Sequence, residues 1–360
     1  MKEYVGILVG KLVFNGIKKG KTYYENLSFY EEAGEKYNLI PCYFRFDDIN
    51  PGISTITAYV REEDGTFALA SIPKPKIIHN RILTGKVSSK RKLKRLKKEG
   101  ITFINEKNRY KKLRIYEILK KDPKLLPNLP ETVKISEENL KEMMNKYNEL
   151  IIKPNSGSLG SGISKLSKVN ENEWEFSYFQ KKVMVKKSFS SKMPLELKRL
   201  LNNPRIIIQE RIPLAKSKGG IFDMRVSVQK NDIGEWQVSG IVGKVANNDK
   251  FITNVAKGAT CYPLNELLKD LPHLDREKVN NDIKCLSLRI AKQLERELPP
   301  MTDLGLDIGL THEGIPKFIE CNGRDLRVTF RNAKMDKEWK ETHTTPIGYV
   351  KYLIQTKTNN

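Results

Sequence analysis

The chain has 360 residues, 39% of them hydrophobic, and 65 Lys and Arg against 43 Asp and Glu give it a formal charge of +22, an excess that points to anionic partners. That apolar content can bury a sizeable core in two or three lobes, while no window reaches membrane-spanning length and the opening apolar stretch is too short for a signal h-region with a cleavage site. Four dispersed cysteines without a C-x-x-C pair, and four dispersed histidines, argue against a zinc site, a disulfide framework and a histidine triad, and fit a reducing cytoplasm.

In chain order, residues 4–14 predict a first strand, 26–37 a helix, 39–46 a second strand and 76–82 a third, buried one. The basic run 90–98 follows. It could engage phosphates non-specifically, but Leu93 and Leu96 lie three apart, as on a helix packed by one narrow stripe, and no DNA- or RNA-binding motif accompanies it, so a solvated helical face is the reading preferred over nucleic acid. After a strand at 101–105, Leu113, Tyr116 and Leu119 carry helical spacing through 112–119. Pro123, Pro127 and Pro130 then break it and mark a hinge.

The chemistry lies beyond that hinge. A strand at 150–153 ends in Lys153, and Pro154 and Asn155 lead into Ser156-Gly157-Ser158-Leu159-Gly160-Ser161-Gly162. Glycines there let backbone N–H groups approach an anion, serines add donors and Lys153 supplies a point charge; neither P-loop nor G-x-G-x-x-G spacing is present. The apolar strand 205–208 turns abruptly polar at Gln209-Glu210-Arg211-Ile212, a segment able to seat an adenine. In 222–228, Asp223, Arg225 and Ser227 share one strand face and Met224, Val226 and Val228 the other. The partner strand 236–245 brings Lys244 near its end, and Phe251-Ile252-Thr253-Asn254 with Lys257 offers donors suited to phosphate or a developing oxyanion. Finally, Asp307 ends one strand-like run, while Glu320 and Asn322 leave the same face of the next, with a turn at Gly314-Ile315-Pro316 between them. Two carboxylates and an amide form the hard oxygen set that Mg²⁺ shares with nucleotide phosphates.

The order Lys112, Lys153 with its Gly/Ser loop, Gln209-Glu210, Asp223-Met224-Arg225, Lys244, 251–254, Asp307 and Glu320-x-Asn322 resembles the ATP-grasp fold. The stretches 108–119 and 129–132 are most similar to its YheC/YheD type, described as endospore coat-associated. The resemblance implies an α/β chain, α+β in its ATP-binding part: a pre-ATP-grasp lobe at 1–107, a linker helix and hinge at 108–132, a small lobe at 133–212 and a large lobe with metal site and C-terminal helix at 213–360.

It implies ATP and Mg²⁺ as cofactors. Lys112, Lys153 and the loop Ser156 to Gly162 would hold phosphates, Gln209 to Ile212 the adenine and Asp223 the ribose. Asp307, Glu320 and Asn322 would hold the metal, and Arg225, Lys244 and Asn254 would serve catalysis. In two places the chain departs from the pattern: Lys244 stands where many relatives have Arg, and Gly323-Arg324-Asp325 replaces a Pro-containing continuation. The function implied is ligation of a carboxylate to an amine through an acyl phosphate, and Arg324, Arg327 and Arg331 suggest an acidic or peptide-like substrate. Two alternatives are a coat-associated structural protein that no longer turns over ATP, and a basic module binding anions or nucleic acid.

Overall fold

The computed structural model describes residues 2–83, 87–157, 161–181, 183–247, 253 and 255–358. Three sheets follow one another along the chain. The first has the spatial order Phe67–Pro73, Thr55–Arg61, Leu39–Phe44, Glu3–Leu8, Ile77–Asn80, Thr102–Ile104. Its last four strands are parallel and the other two form an antiparallel hairpin. Parallel strands are buried on both faces, which is why Val5, Ile7 and Leu8 form an unbroken apolar run.

The single strand expected at 4–14 is corrected here. The strand stops at Leu8, and Lys11–Gly16 is a short helix burying Val13 and Phe14. Apolar residues continue from Leu8-Val9 into Leu12-Val13-Phe14, and a short apolar run carries no period by which strand and helix can be told apart. The helix Leu27–Tyr37 begins where the Asn26 side chain accepts from Ser28 N at 3.1 Å, and it ends at Asn38 with φ 56°. On the basic helix Val87–Lys98, Leu93 and Leu96 are buried, Lys92 Nζ bonds the Phe46 carbonyl and Lys97 pairs with Glu106. Lys94, Arg95 and Lys98 stay in solvent.

The middle sheet is wholly antiparallel, in the order Val183–Phe189, Glu173–Gln180, Ser164–Asn170, Glu149–Pro154, Ile206–Glu210, Thr132–Lys134. Alternation puts Leu150, Ile152, Leu166, Phe176, Ile206 and Ile208 on one face, under Leu140 and Met143 of helix Glu137–Lys146 and Leu197 of helix Leu195–Leu201. Lys153 and Gln209 therefore fall on the other face.

The third sheet runs Thr260–Pro263, Trp236–Val245, Gly220–Lys230, Asp303–Leu310, Pro316–Asn322. Phe222, Met224, Val226, Leu304, Leu306 and Ile308 turn toward the long helix Arg276–Glu297, which offers Val279, Ile283, Leu286 and Ile290. A last helix, Asp336–Thr358, packs on the third sheet and also on the first lobe, where Ile347 and Val350 join its core.

The linker is held against this sheet at Gly323. A Cβ there would stand 2.8 Å from the Asn108 Cα. Gly323→Ala must push backbone against backbone, so the unfolding free energy should drop by about 1–3 kcal/mol. Denaturant titration measures it, and an unchanged midpoint would show that the linker yields without cost.

Candidate active site

Register builds the polar face of the third sheet. Arg225 is paired across the sheet with Asp307, Asp223 with Lys244, and Asp307 with Glu320 on its other side. Gly305 faces Asn322, and a bulge follows Asp307. Because side chains alternate, every one of these groups emerges from the face opposite the Arg276–Glu297 helix.

Asp307 is the centre of that face. Its Oδ1 accepts from Arg225 Nε at 3.0 Å and Lys244 Nζ at 2.8 Å; its Oδ2 accepts from Asn322 Nδ2 at 3.2 Å and Arg225 Nη2 at 3.3 Å. Burial pushes its carboxyl up, but Arg225 and Lys244 outweigh burial and hold it well below the usual carboxylate range. The Lys244 ammonium also stands 2.9 Å from Asp223 Oδ1. Asp223, assigned above to a ribose, is buried and turned into this network, where it also accepts from Thr253 Oγ1; burial raises its pKa and Lys244 opposes the rise. Asn254 lies outside the described residues, as do Phe251 and Ile252.

The middle sheet approaches with Lys153. Its buried ammonium donates to Gln209 Oε1 at 2.6 Å, and Gln209 Nε2 donates to Thr132 Oγ1 at 2.7 Å. Burial pulls the Lys153 pKa down to about 8, with Glu320 and Asp307 raising it and Lys112 lowering it. Lys112, at the start of helix Lys112–Leu119, reaches Glu320 Oε1 at 2.8 Å and the Gly157 carbonyl at 3.2 Å, so it ties the loop to the last strand.

Of the loop, Ser156, Gly157, Ser161 and Gly162 are described, Gly162 with φ 70°; Ser158 and Gly160 lie outside the described residues. Glu210 Oε2 accepts from Glu131 N at 3.1 Å, and Arg211 is paired with Glu149, not with the Lys153 cluster. Glu210 and Ile212 line a cavity of about 220 Å³ with Pro130, Thr311 and Ile315.

The oxygen donors fit Mg²⁺. Asp307 and Glu320 are direct register partners, and Asn322 touches Asp307. Along Asp223–Lys244–Asp307–Arg225–Asp325 carboxylates and cations alternate, and Lys112 meets Glu320 beside them. Among the described residues no trio of His, Cys, Asp or Glu is arranged as a self-sufficient metal cage.

Several residues escaped sequence reasoning. Asp325 accepts from Arg225 Nη1 at 3.0 Å and from Ser227 Oγ; Gly305 makes room for it, since a Cβ there would be 3.0 Å from its carboxyl carbon. Asp303 accepts from Arg81 Nη1 at 3.1 Å, Arg327 Nη2 at 2.6 Å and Gln229 Nε2 at 2.9 Å, and Glu25 holds Arg81 Nε at 2.8 Å. The unusual Gly323-Arg324-Asp325 was the only signal for any of them. Of the three arginines taken above to suggest an acidic or peptide-like substrate, Arg327 is corrected: it is fully buried and paired with Asp303. Arg331 is engaged with the Tyr23 carbonyl at 2.6 Å.

A family model described as YheC/D like ATP-grasp matches residues 100–353. The chain belongs to this YheC/D-like ATP-grasp family. Endospore coat-associated protein YheD of Bacillus subtilis (strain 168) is 25% identical to it over 338 residues, 91% of this chain and 73% of YheD. YheC of the same organism, also named endospore coat-associated, is 23% identical over 315 residues, 85% of this chain and 86% of its own. Among solved structures, the ATP-grasp ligase PsnB, complexed with a phosphomimetic variant of a minimal precursor, Mg and ADP, is 14% identical with a TM-score of 0.47, covering 95% of this chain and 99% of PsnB. The α/β architecture with its two antiparallel sheets is that of the ATP-grasp family. Among the described residues no helix is long and apolar enough to cross a membrane.

Phosphate arriving at Lys153 would raise its pKa from about 8. Nucleotide binding should then take up a proton near pH 8 and weaken as pH climbs above 8, since the charged form is the one that binds. Calorimetry of an ATP analogue in buffers of different ionisation enthalpy reads both effects. Proton-neutral binding that is flat from about pH 7 to 9.5 would remove Lys153 from the phosphate site.

Proposed function

We propose that this YheC/D-like ATP-grasp protein is an ATP- and Mg²⁺-dependent ligase that joins a carboxylate to an amine, with an amino-acid or peptide-like substrate. The observation that carries the reading is the convergence of Lys112 on Glu320 and of Arg225 and Lys244 on Asp307, with Lys153 of the middle sheet held on Gln209 near enough for Glu320 and Asp307 to act on its charge. In this reading a substrate carboxylate oxygen attacks the γ-phosphorus of ATP, and the bond to the ADP oxygen breaks to leave an acyl phosphate. The amine nitrogen then attacks the acyl carbon, releasing inorganic phosphate and a proton.

Asp307, Glu320 and Asn322 would hold Mg²⁺, which supplies neutralisation of phosphate charge. Lys153 and Lys112 orient phosphate oxygens from the middle sheet. The cavity beside Glu210 and Ile212 offers an apolar wall and backbone edges for the adenine. Arg225, held on two sides by Asp307 and Asp325, is preorganised toward charge that develops on the acyl oxygen. Such a site works by positioning and electrostatics, without a protein nucleophile. From the relatives' names we carry over an association with the endospore coat.

An ADP-release screen with Mg²⁺ against amino acids and peptides, with mass spectrometry of products, tests the reaction. ATP binding with no ADP formed from any pairing would favour a coat protein that keeps the fold without turnover. Glu320→Gln should keep the fold yet lose most Mg²⁺-dependent turnover, because an amide replaces an anionic ligand; undiminished ADP formation would sink the metal assignment.

For Arg225 the informative change is to lysine, since alanine would strand two buried carboxylates and cost about 3–5 kcal/mol of stability. Arg225→Lys should leave ATP affinity nearly intact and slow ligation by about a hundredfold, the scale of a lost oxyanion donor. Weakened ATP binding with normal turnover at saturation would instead make Arg225 a nucleotide contact.

A further inference from the structure

Arg324 is one of the cations of this region that make no ion pair among the described residues. It follows Asn322 by two residues and precedes Asp325, the residue that holds Arg225. Its side chain is half-buried, its guanidinium lies 5.7 Å from the centre of the Tyr24 ring, and among the described residues its side chain makes one hydrogen bond, from Nη1 to the Arg81 carbonyl at 3.4 Å. Among the described residues no carboxylate is within ion-pair distance of it. The nearby Glu25 is already committed to Arg81 and Tyr30.

Arg109 is close enough for its charge to act on Arg324, is exposed, and likewise has no ion-pair partner among the described residues. Burial pulls the Arg324 pKa down, Tyr24 and Glu25 oppose the fall, and Arg81 and Arg109 add to it. A guanidinium cannot shed its proton to escape such a setting. Half-burying it without a counterion costs free energy that an incoming anion would return.

The position also suits a ligand. The parallel strands Glu3–Leu8, Ile77–Asn80 and Thr102–Ile104 all end at one edge of the first sheet, and the chain after them supplies Arg81 and Arg109. Outside the carboxyl ends of such strands is where open α/β sheets bind ligands. In the chain Arg324 lies between Asn322 and Asp325, the carboxylate that holds Arg225 of the proposed ligation site.

We propose that Arg324, with Arg109 beside it, is the subsite for a second carboxylate of the substrate, so that the molecule ligated is acidic: an amino acid or peptide with an Asp- or Glu-type side chain. The inference rests on the ligase reading for its chemistry but not for its binding. The planar fork of Arg324 receives the carboxylate bidentately, Arg109 adds charge, and the carboxylate to be phosphorylated is left facing Arg225 and the metal donors.

The test uses the full chain and a fluorescent pentapeptide with one glutamate, compared with its glutamine isostere, at physiological salt. The parent should bind the glutamate peptide about tenfold or more tightly than the isostere. Arg324→Gln should abolish that preference. Lys94→Gln removes the same charge from the exposed basic helix and should preserve it. Affinity for an ATP analogue should be equal in all three proteins.

Absence of a glutamate preference in the parent, its persistence in Arg324→Gln, or a fall in ATP-analogue affinity in that variant would each overturn the proposal. If Arg324→Gln does not melt cooperatively, Arg324→Lys is read instead: it must lose part of the preference, and full retention counts against the subsite. An Arg324-dependent preference without ADP release from any carboxylate would uphold the subsite and remove the ligase. ADP release from neutral carboxylates without a glutamate preference would do the reverse.

Discussion

A single carboxylate, Asp307, is engaged through both oxygens by Arg225, Lys244 and Asn322, and its strand neighbour is Glu320. The candidate site depends on this because Asp307 sits on the central strand pair of the third sheet, and its partners reach it only at one register. A slip of one residue would carry Asp307 into the layer occupied by Leu306 and Ile308, beneath the Arg276–Glu297 helix. The apolar alternation that buries that helix therefore also fixes the polar constellation on the opposite face. Stability and chemistry are two faces of one pairing.

Behind Asp307 the same strands enter a buried ionic layer. Asp303 meets Arg81 and Arg327, Arg81 meets Glu25, and Arg81 Nη2 also bonds the Asp325 carbonyl at 2.7 Å. Ion pairs removed from water gain little net stability, yet losing one partner is severe, so such a layer fixes geometry more than it adds free energy. Here it locks the first lobe to the short segment whose Asp325 orients Arg225. Two buried histidines sit within it. Burial pulls His79 down to about 4 and His343 to about 3, which keeps both neutral near pH 7 and the layer indifferent to modest pH change.

The middle sheet is attached differently. Its apolar face is closed by its own helices, and its polar face meets the site through Lys153 and through the Gly157 carbonyl on Lys112. One side of the cleft is thus cemented by buried charge and the other joined by a few long side chains. A site that must admit and release a large anion is served by that asymmetry, since the elements with the fewest buried contacts open at the lowest free energy.

Much of this was legible in the chain. Alternation within 222–228 separated Asp223, Arg225 and Ser227 from the core, and the spacing of Glu320 and Asn322 put both on one face, because strand period is a local property. The residues 4–14 misled because a short, nearly continuous apolar run has no period to read, so the break between strand and helix left no mark. Asp303, Glu25 and Arg81 gave no sign of themselves: Arg81 lies 222 positions from Asp303, and no local rule pairs charges so far apart. Arg324 and Arg327 look alike in sequence, three residues apart in one basic stretch. By itself the chain determined its strand faces and the kinds of polar atoms gathered at the candidate site. Only tertiary structure decided which charges cancel and which remain free, because burial and distance, not residue type, set the energy of a charge.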